Sequence, residues 1–225
     1  MSSTKATSSK VEEIVGHQFK DKSLLLRALT HASLEKPNYE RLEFLGDRVL
    51  GVVVAEILFK KYPDESEGAL AKRFSALVRG QTLAQIGKTI GIDAHILYSD
   101  TEAAANGTAN ENIIADVMES LLGAIYIDGG LKPCQDMINK YWQSYFETMI
   151  APPQDPKTEL QEWVQARGIA TPQYEIVNRE GPDHAPVFTI RVTVEGLMPQ
   201  EATAKNRRKA EKDAARLMLK TTKNM

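Results

Sequence analysis

The chain of 225 residues holds one cysteine, four histidines and no apolar stretch long enough to cross a bilayer. A single cysteine, Cys134, rules out an internal disulfide and suits a reducing compartment, so a cytoplasmic location is expected. The longest apolar run, Leu50 to Phe59, is interrupted by Glu56 and falls far short of the roughly 20 residues of a membrane helix, so no membrane partner is expected. Met1 to Lys10 is rich in Ser, Thr and Lys without an apolar segment and reads as a disordered polar tail rather than a secretory signal. None of His17, His31, His95 and His184 lies three residues after any of the five acids considered below, which excludes the Glu-x-x-His pairs of carboxylate-bound iron oxidases. Zinc-hydrolase spacing, a cysteine cluster, a Gly-x-Ser-x-Gly elbow and a Gly-rich phosphate loop ending in lysine are all missing.

What is present is acid in an unusual place. Glu40, Glu43 and Asp47 recur at i, i+3 and i+7, within roughly 60° of one another on a helix. Asp116 and Glu119 repeat the spacing at i, i+3. The opposite faces carry Leu42, Leu45, Val49, Val52 and Val53 in one case and Ile114, Met118, Leu121, Leu122 and Ile125 in the other. Carboxylates held about 4 Å apart at an effective dielectric near 20 repel by several kcal/mol. A hard divalent cation is the simplest compensation, and oxygen-only ligands suit Mg²⁺, with Mn²⁺ a plausible substitute. An all-carboxylate site on two helices suits metal-assisted phosphodiester hydrolysis.

Charge is divided along the chain. From Pro156 onward there are 12 Lys/Arg against 9 Asp/Glu, and the last 21 residues hold 8 basic and 2 acidic side chains, although the chain as a whole carries −2. An acidic front part and a basic tail suit a protein that holds metal in one place and phosphate backbone in another, though a solvated charged helix explains the tail alone equally well.

The pattern predicts two domains: an all-α domain followed by an α-β-β-β-α module. After the tail at 1–10, residues 11–147 show three- and four-residue apolar spacing broken by Gly, Pro, Asp and Asn clusters. The segment 148–156, with Pro152, Pro153 and Pro156, reads as a linker. In 157–225, Lys157 to Ala166 is a short amphipathic helix, while Gln173 to Val177 and Val187 to Val194 alternate in period two. A third extended stretch follows Gly196 to Gln200, and the helix from about Asn206 to Lys220 buries Ala210, Ala214, Leu217 and Met218.

Two long motifs make the reading specific. Asn38-Tyr-Glu-Arg-Leu-Glu-Phe-Leu-Gly-Asp-Arg-Val-Leu50 and Ile113-Ile-Ala-Asp-Val-Met-Glu-Ser-Leu-Leu-Gly-Ala-Ile-Tyr-Ile-Asp-Gly-Gly130 resemble the two acidic helices of the ribonuclease III family. Ala28-Leu-Thr-His-Ala-Ser33 and Glu67-Gly68 fit as well. Order and spacing resemble the bacterial type with a single nuclease domain. The resemblance implies that Glu43, Asp47, Asp116 and Glu119 bind metal, with Asp47 and Glu119 most directly tied to hydrolysis. The implied reaction is in-line attack of a metal-activated water on double-stranded RNA, leaving 5′-phosphate and 3′-hydroxyl ends with a short 3′ overhang, in the processing of ribosomal and messenger precursors. Glu40 and Glu67 match acidic positions near the family's cleavage valley, and a surface acid or helix salt bridge explains each as well. Asn112 projects on the face of Asp116, where it would orient a ligand or cap the helix start. His31 reads as a cap or a core hydrogen-bonding residue rather than a base. Phe44 lies on the acidic side of its helix, and the family places an aromatic there against the partner subunit of a homodimer.

Near the acidic site one stretch departs from the family. The common Leu-Ser-x-x-Arg after Glu67-Gly68 is here Leu70-Ala71-Lys72-Arg73-Phe74, so Arg73 or Lys72 is expected to take over a phosphate or carboxylate contact.

The C-terminal module resembles a double-stranded RNA-binding domain through Pro156-Lys-Thr-Glu-Leu-Gln-Glu162, Gly181-Pro-Asp-His184 and Arg207-Arg-Lys-Ala-Glu-Lys-Asp-Ala-Ala215. Such a domain spans about 16 base pairs and reads 2′-hydroxyls and phosphates. The resemblance assigns Thr158, Gln161 and Glu162 to one minor groove, Pro182, Asp183 and His184 to the next, and Arg207, Arg208 and Lys212 to phosphates between them. Asn206 stands where a serine is usual and is expected to cap the last helix. Two rivals remain at this point: a non-enzymatic RNA-binding protein that kept the fold, and a structural helical dimer fused to an RNA-binding module. The first would be favoured by missing acidic ligands, and the second gives no reason for the five acids.

Overall fold

The structure is a computed structural model and describes residues 2–34, 37–104, 110–182 and 184–222. Asp183 of the expected RNA-binding loop lies outside the described residues. The chain divides into two compact units, 1–153 and 154–225.

The first unit is helical: α1 (Ser2–Val15), α2 (Lys22–Leu29), α3 (Glu40–Lys61), α4 (Glu67–Val78), α5 (Gly80–Ile90), α6 (Asp100–Ala104), α7 (Glu111–Gly129) and α8 (Leu131–Thr148). The polar start expected as a tail is therefore helical from Ser2. Val11 and Val15 are buried and anchor that helix, and once a nucleus is fixed each added residue gains a hydrogen bond. Helix ends follow side-chain chemistry. Asp21 accepts from the Ser23 amide at 2.9 Å, Ser66 from Ala69 at 3.3 Å and Asn110 from Asn112 at 3.0 Å, each supplying an acceptor that the first turn lacks. Helix α5 stops at Gly91, whose φ of 77° is left-handed.

Helix α7 forms the centre, packed by α2, α3, α5 and α8. Ile114, Met118, Leu121, Leu122 and Ile125 are all fully buried, as the spacing predicted. On α3, Leu42, Val49 and Val53 are buried, but Val52 is 58% exposed. It lies with Phe44 and Phe59, also exposed, on an apolar stripe along the outside of α3. At about 100° per residue Val52 stands roughly 80° from Leu42, at the margin of the apolar face, which leaves it turned outward.

The second unit holds α9 (Pro156–Gln165), β1 (Gln173–Glu180), β2 (Val187–Thr193), β3 (Gln200–Ala204) and α10 (Arg207–Thr222). The sheet is antiparallel in the order β1-β2-β3, with Ile176 opposite Ile190 and Ile190 opposite Ala202. Ile190 and Val192 face the helices, where Leu160, Val164, Ala214 and Met218 close the core. On the solvent face Arg191 lies between Glu175 (3.1 Å) and Glu201 (2.7 Å). Asn206 accepts from the Lys209 amide at 2.8 Å, the cap expected for α10.

Candidate active site

Helices α3 and α7 meet backbone to backbone. A Cβ on Gly46 would stand 2.5 Å from the Glu119 carbonyl carbon, with the carbonyl oxygen nearer still, and one on Gly123 would be 3.0 Å from the Leu42 carbonyl carbon. Only glycine at both positions allows this approach. The two glycines therefore bring acids from separate helices to one point. Glu43, Asp116 and Glu119 each offer a carboxylate oxygen, and these three lie within 4.8 Å of one another. All three side chains are half-buried.

The electrostatics follow from that crowding. Burial, then Asp47, Glu43 and Asp116, push the Glu119 carboxyl up to about 8, with Arg48 opposing. Glu43 is also raised, by burial and then by Asp116, Glu40 and Asp47. Burial raises Asp116, while a hydrogen bond from the Tyr39 hydroxyl at 3.2 Å and the nearby His31 pull the other way. Among the described residues, no Lys or Arg forms an ion pair with Glu43, Asp116 or Glu119. The donor set is all oxygen and short of positive charge, so it fits a hard divalent cation.

The other expected residues separate. The Asp47 carboxylate pairs with Arg48 and is not part of the triple, although its charge is felt by Glu43 and Glu119. Glu40 accepts from the Asn38 side chain at 3.0 Å and is exposed at the start of α3. Glu67 is exposed at the start of α4, beside a groove lined by Phe59, Leu70, Ala71 and Phe74. Asn112 does not cap α7: Asn110 does, and Asn112 supplies the amide. His31 Nδ1 accepts from the Ser33 amide at 3.0 Å, the hydrogen-bonding role expected of it. Phe44 is 69% exposed, with the Arg48 guanidinium 5.6 Å from its ring centre.

At the departure around Arg73 the expected carboxylate contact forms, but away from the acidic cluster. Arg73 is 1% exposed and faces inward, donating to both Glu65 oxygens (2.8 and 2.6 Å) and to the Met149 and Ile150 carbonyls, with Tyr62 stacked 3.8 Å away. It takes a carboxylate contact, but as a buried brace at the end of α8 and not at the acidic cluster. Sequence reasoning also missed Tyr39, which stands inside the first acidic motif directly before Glu40, and the pairing of Gly46 with Gly123. Glycines inside two long amphipathic helices were the available signal.

In the second unit Thr158, Gln161 and Glu162 are exposed along one face of α9, away from buried Leu160 and Val164. Pro182 and His184 are exposed between β1 and β2. At the start of α10, Arg207 pairs with Glu211 at 2.8 Å and Lys212 with Asp155 at 2.6 Å, whereas Arg208 is exposed. Glu211 is 8% exposed and also holds Lys157 at 2.6 Å, so these ions hold α9 and α10 together. No helix among the described residues is long and apolar enough to cross a membrane.

Comparison with known proteins agrees with both units. A Ribonuclease-III-like family matches residues 21–145, and the Double-stranded RNA binding motif matches 156–221. Ribonuclease 3 of Anaplasma marginale (strain Florida) is 44% identical over 96% of this chain and 95% of its own length. Ribonuclease 3 of Ehrlichia ruminantium (strain Gardel) is 46% identical over 93% of this chain and 94% of its own. The solved nuclease domain of ribonuclease III from Campylobacter jejuni, described for flexibility in a region involved in dimer formation, is 38% identical with a TM-score of 0.59, covering 61% of this chain and 97% of that one. With a nuclease match over more than half its length and relatives this similar from end to end, the chain belongs to the ribonuclease III family.

Proposed function

We propose that this endoribonuclease cuts double-stranded RNA at the α3–α7 carboxylate cluster, with Glu43, Asp116 and Glu119, joined by Asp47, holding Mg²⁺ or, as a substitute, Mn²⁺. The observation that carries the reading is the set of three carboxylates within 4.8 Å that, among the described residues, form no ion pair with Lys or Arg. When bound, the cation supplies the Lewis acidity that makes water a nucleophile at neutral pH and offsets charge on the phosphate oxygens. Asp47, which pairs with Arg48, would complete the ligand set from the same face of α3, and Glu119, whose burial favours its protonated form, would have to be ionised to serve as a ligand. The products are 5′-phosphate and 3′-hydroxyl ends with a short 3′ overhang, and the substrates are ribosomal and messenger precursors in the cytoplasm.

The second unit supplies grip. Thr158, Gln161 and Glu162 meet one minor groove, Pro182 and His184, with Asp183, the next, and Arg207, Arg208 and Lys212 the phosphates, aided by the positive end of the α10 dipole. Phe44, Val52 and Phe59 form an exposed apolar stripe that supports pairing with a second copy, since exposed aromatics make good interface anchors. Glu40 and Glu67 act as supporting acids near the cleavage cluster, and Asn112 contacts RNA beside Asp116.

The test is incubation of the full chain with a long RNA duplex and Mg²⁺, then with EDTA or Ca²⁺, beside Glu119→Gln. Metal-dependent cutting by the wild type, and binding without cutting by the variant, are expected. Normal cleavage by Glu119→Gln would remove the role given to that carboxylate, and no cleavage by the wild type would leave a binding protein.

A further inference from the structure

Tyr39 joins the two acid-bearing helices without being an acid itself. It stands at the N-cap of α3, where its carbonyl accepts the first helical hydrogen bonds, from Leu42 at 2.8 Å and Glu43 at 2.9 Å. Its own amide donates to the Thr30 carbonyl at 3.0 Å, which ties it to the end of α2. The side chain is buried, 4% exposed, with the His31 ring edge-on at 5.6 Å. From that seat the hydroxyl reaches α7 and lies 3.2 Å from Asp116 Oδ2. A tyrosine is protonated at neutral pH and a carboxylate only accepts, so the phenol is the donor. Among the described residues, no other side chain donates a hydrogen bond to Asp116.

We propose that Tyr39 is a positioning residue for the divalent-cation site, fixing the start of the helix that carries Glu43 through its carbonyl and the rotamer of Asp116 through its hydroxyl. The proposal rests on the reading that Glu43, Asp116 and Glu119 hold a cation. An aspartate at a half-buried site has two side-chain torsions to restrain before its oxygen can be a fixed ligand. The tyrosine hydroxyl restrains them from a ring locked by burial, on a residue held by three backbone hydrogen bonds. Partners that orient metal ligands in this way typically contribute about 10–100-fold in metal affinity or activity.

The test uses the full chain with Mn²⁺ alone as probe, free Mn²⁺ being followed by its paramagnetic resonance signal. Wild type, Tyr39→Phe and Asp116→Asn are compared, with metal-free thermal melts in parallel. Tyr39→Phe removes one oxygen and keeps the ring, the Thr30 bond and the helix cap. It is expected to bind Mn²⁺ about tenfold more weakly with its melting temperature unchanged, while Asp116→Asn loses binding. In RNA cleavage Tyr39→Phe then needs proportionally more metal for half-maximal rate, with KM for RNA unaltered and the rate recovered at saturating metal. Unaltered Mn²⁺ affinity in Tyr39→Phe beside lost binding in Asp116→Asn overturns the role of Tyr39 and leaves the metal site standing. Weaker binding accompanied by a lowered melting temperature also overturns it, because the residue would then act through packing. Unaltered binding in Asp116→Asn overturns the metal reading and the proposal with it.

Discussion

Adding one methyl group at Gly46 tests whether the close approach of the two helices itself sets the geometry of the acids. The new Cβ of Gly46→Ala would lie 2.5 Å from the Glu119 carbonyl carbon and 2.9 Å from the Gly123 amide nitrogen, both backbone atoms that no rotamer change can move. Carbon pairs rest at about 3.5–4.0 Å, so α3 and α7 must part by about 1 Å. Overpacking of this kind costs roughly 1–3 kcal/mol, and a backbone clash belongs at the upper end. Alanine returns about 1 kcal/mol of helix propensity. The net loss is then about 2 kcal/mol, or a fall in melting temperature of roughly 4–8 °C for a unit of this size. The larger effect falls on chemistry. Glu43 rides on one helix and Asp116 and Glu119 on the other, so a 1 Å opening exceeds by about fivefold the ~0.2 Å tolerance of a metal–ligand distance. Misplacement on that scale costs about 10²-fold in rate. Mg²⁺-dependent cleavage of an RNA duplex, measured below the melting transition with RNA binding as a control, is the assay. Gly51→Ala on the same helix is the reference, because its Cβ would meet Phe74 at an ordinary 3.6 Å and leave cleavage intact. Wild-type cleavage by a folded Gly46→Ala protein would refute the claim that the paired glycines position the acids.

Two further outcomes follow from the charges. Without divalent metal, Glu119 rises from 4.5 to about 8 in the folded chain, so between those values the folded state holds more protons than the unfolded one and stability falls as pH rises. Screening at a half-buried site reduces the effect to roughly 2 kcal/mol; metal-free melts from pH 5 to 8 should decline and Mg²⁺ should flatten them, whereas a profile rising across that range would contradict the crowding of the acids. Arg207→Ala with Arg208→Ala should weaken RNA binding and lower the slope of log affinity against log salt by about 1 for each phosphate that is no longer neutralised. An unchanged slope would make the start of α10 a merely solvated face.

Much of this was legible in the sequence because helical spacing fixes azimuth. The i, i+3 pattern puts Glu43 and Glu119 on acidic faces, and the period-two alternation of Phe188 to Val194 marks a strand whose Ile190 and Val192 are buried. Spacing says nothing about which faces of separate helices meet, or how closely. The approach of Gly46 to Gly123 and the reach of Tyr39 to Asp116 depend on how helices far apart in the chain are brought together, and the turn of Asp47 toward its neighbour Arg48 is a rotamer choice that spacing does not fix. The inward turn of Arg73 is hidden from sequence for a related reason. A charged residue is expected outside until an acid and two free carbonyls are found to surround it, and Glu65, Met149 and Ile150 come together only in the fold. The cap of α7 differs by two residues from the expected one, because Asn110 and Asn112 are equally good acceptors and only the backbone chooses.

The row Glu175–Arg191–Glu201 on the open face of the sheet carries two negative charges for one positive. The other side of that unit carries the exposed cations at the start of α10. A body with such a division is electrically polarised, and near a polyanion it experiences a torque as well as an attraction. With the start of α10 as the proposed phosphate-facing side, that torque would turn the sheet away from a duplex before contact.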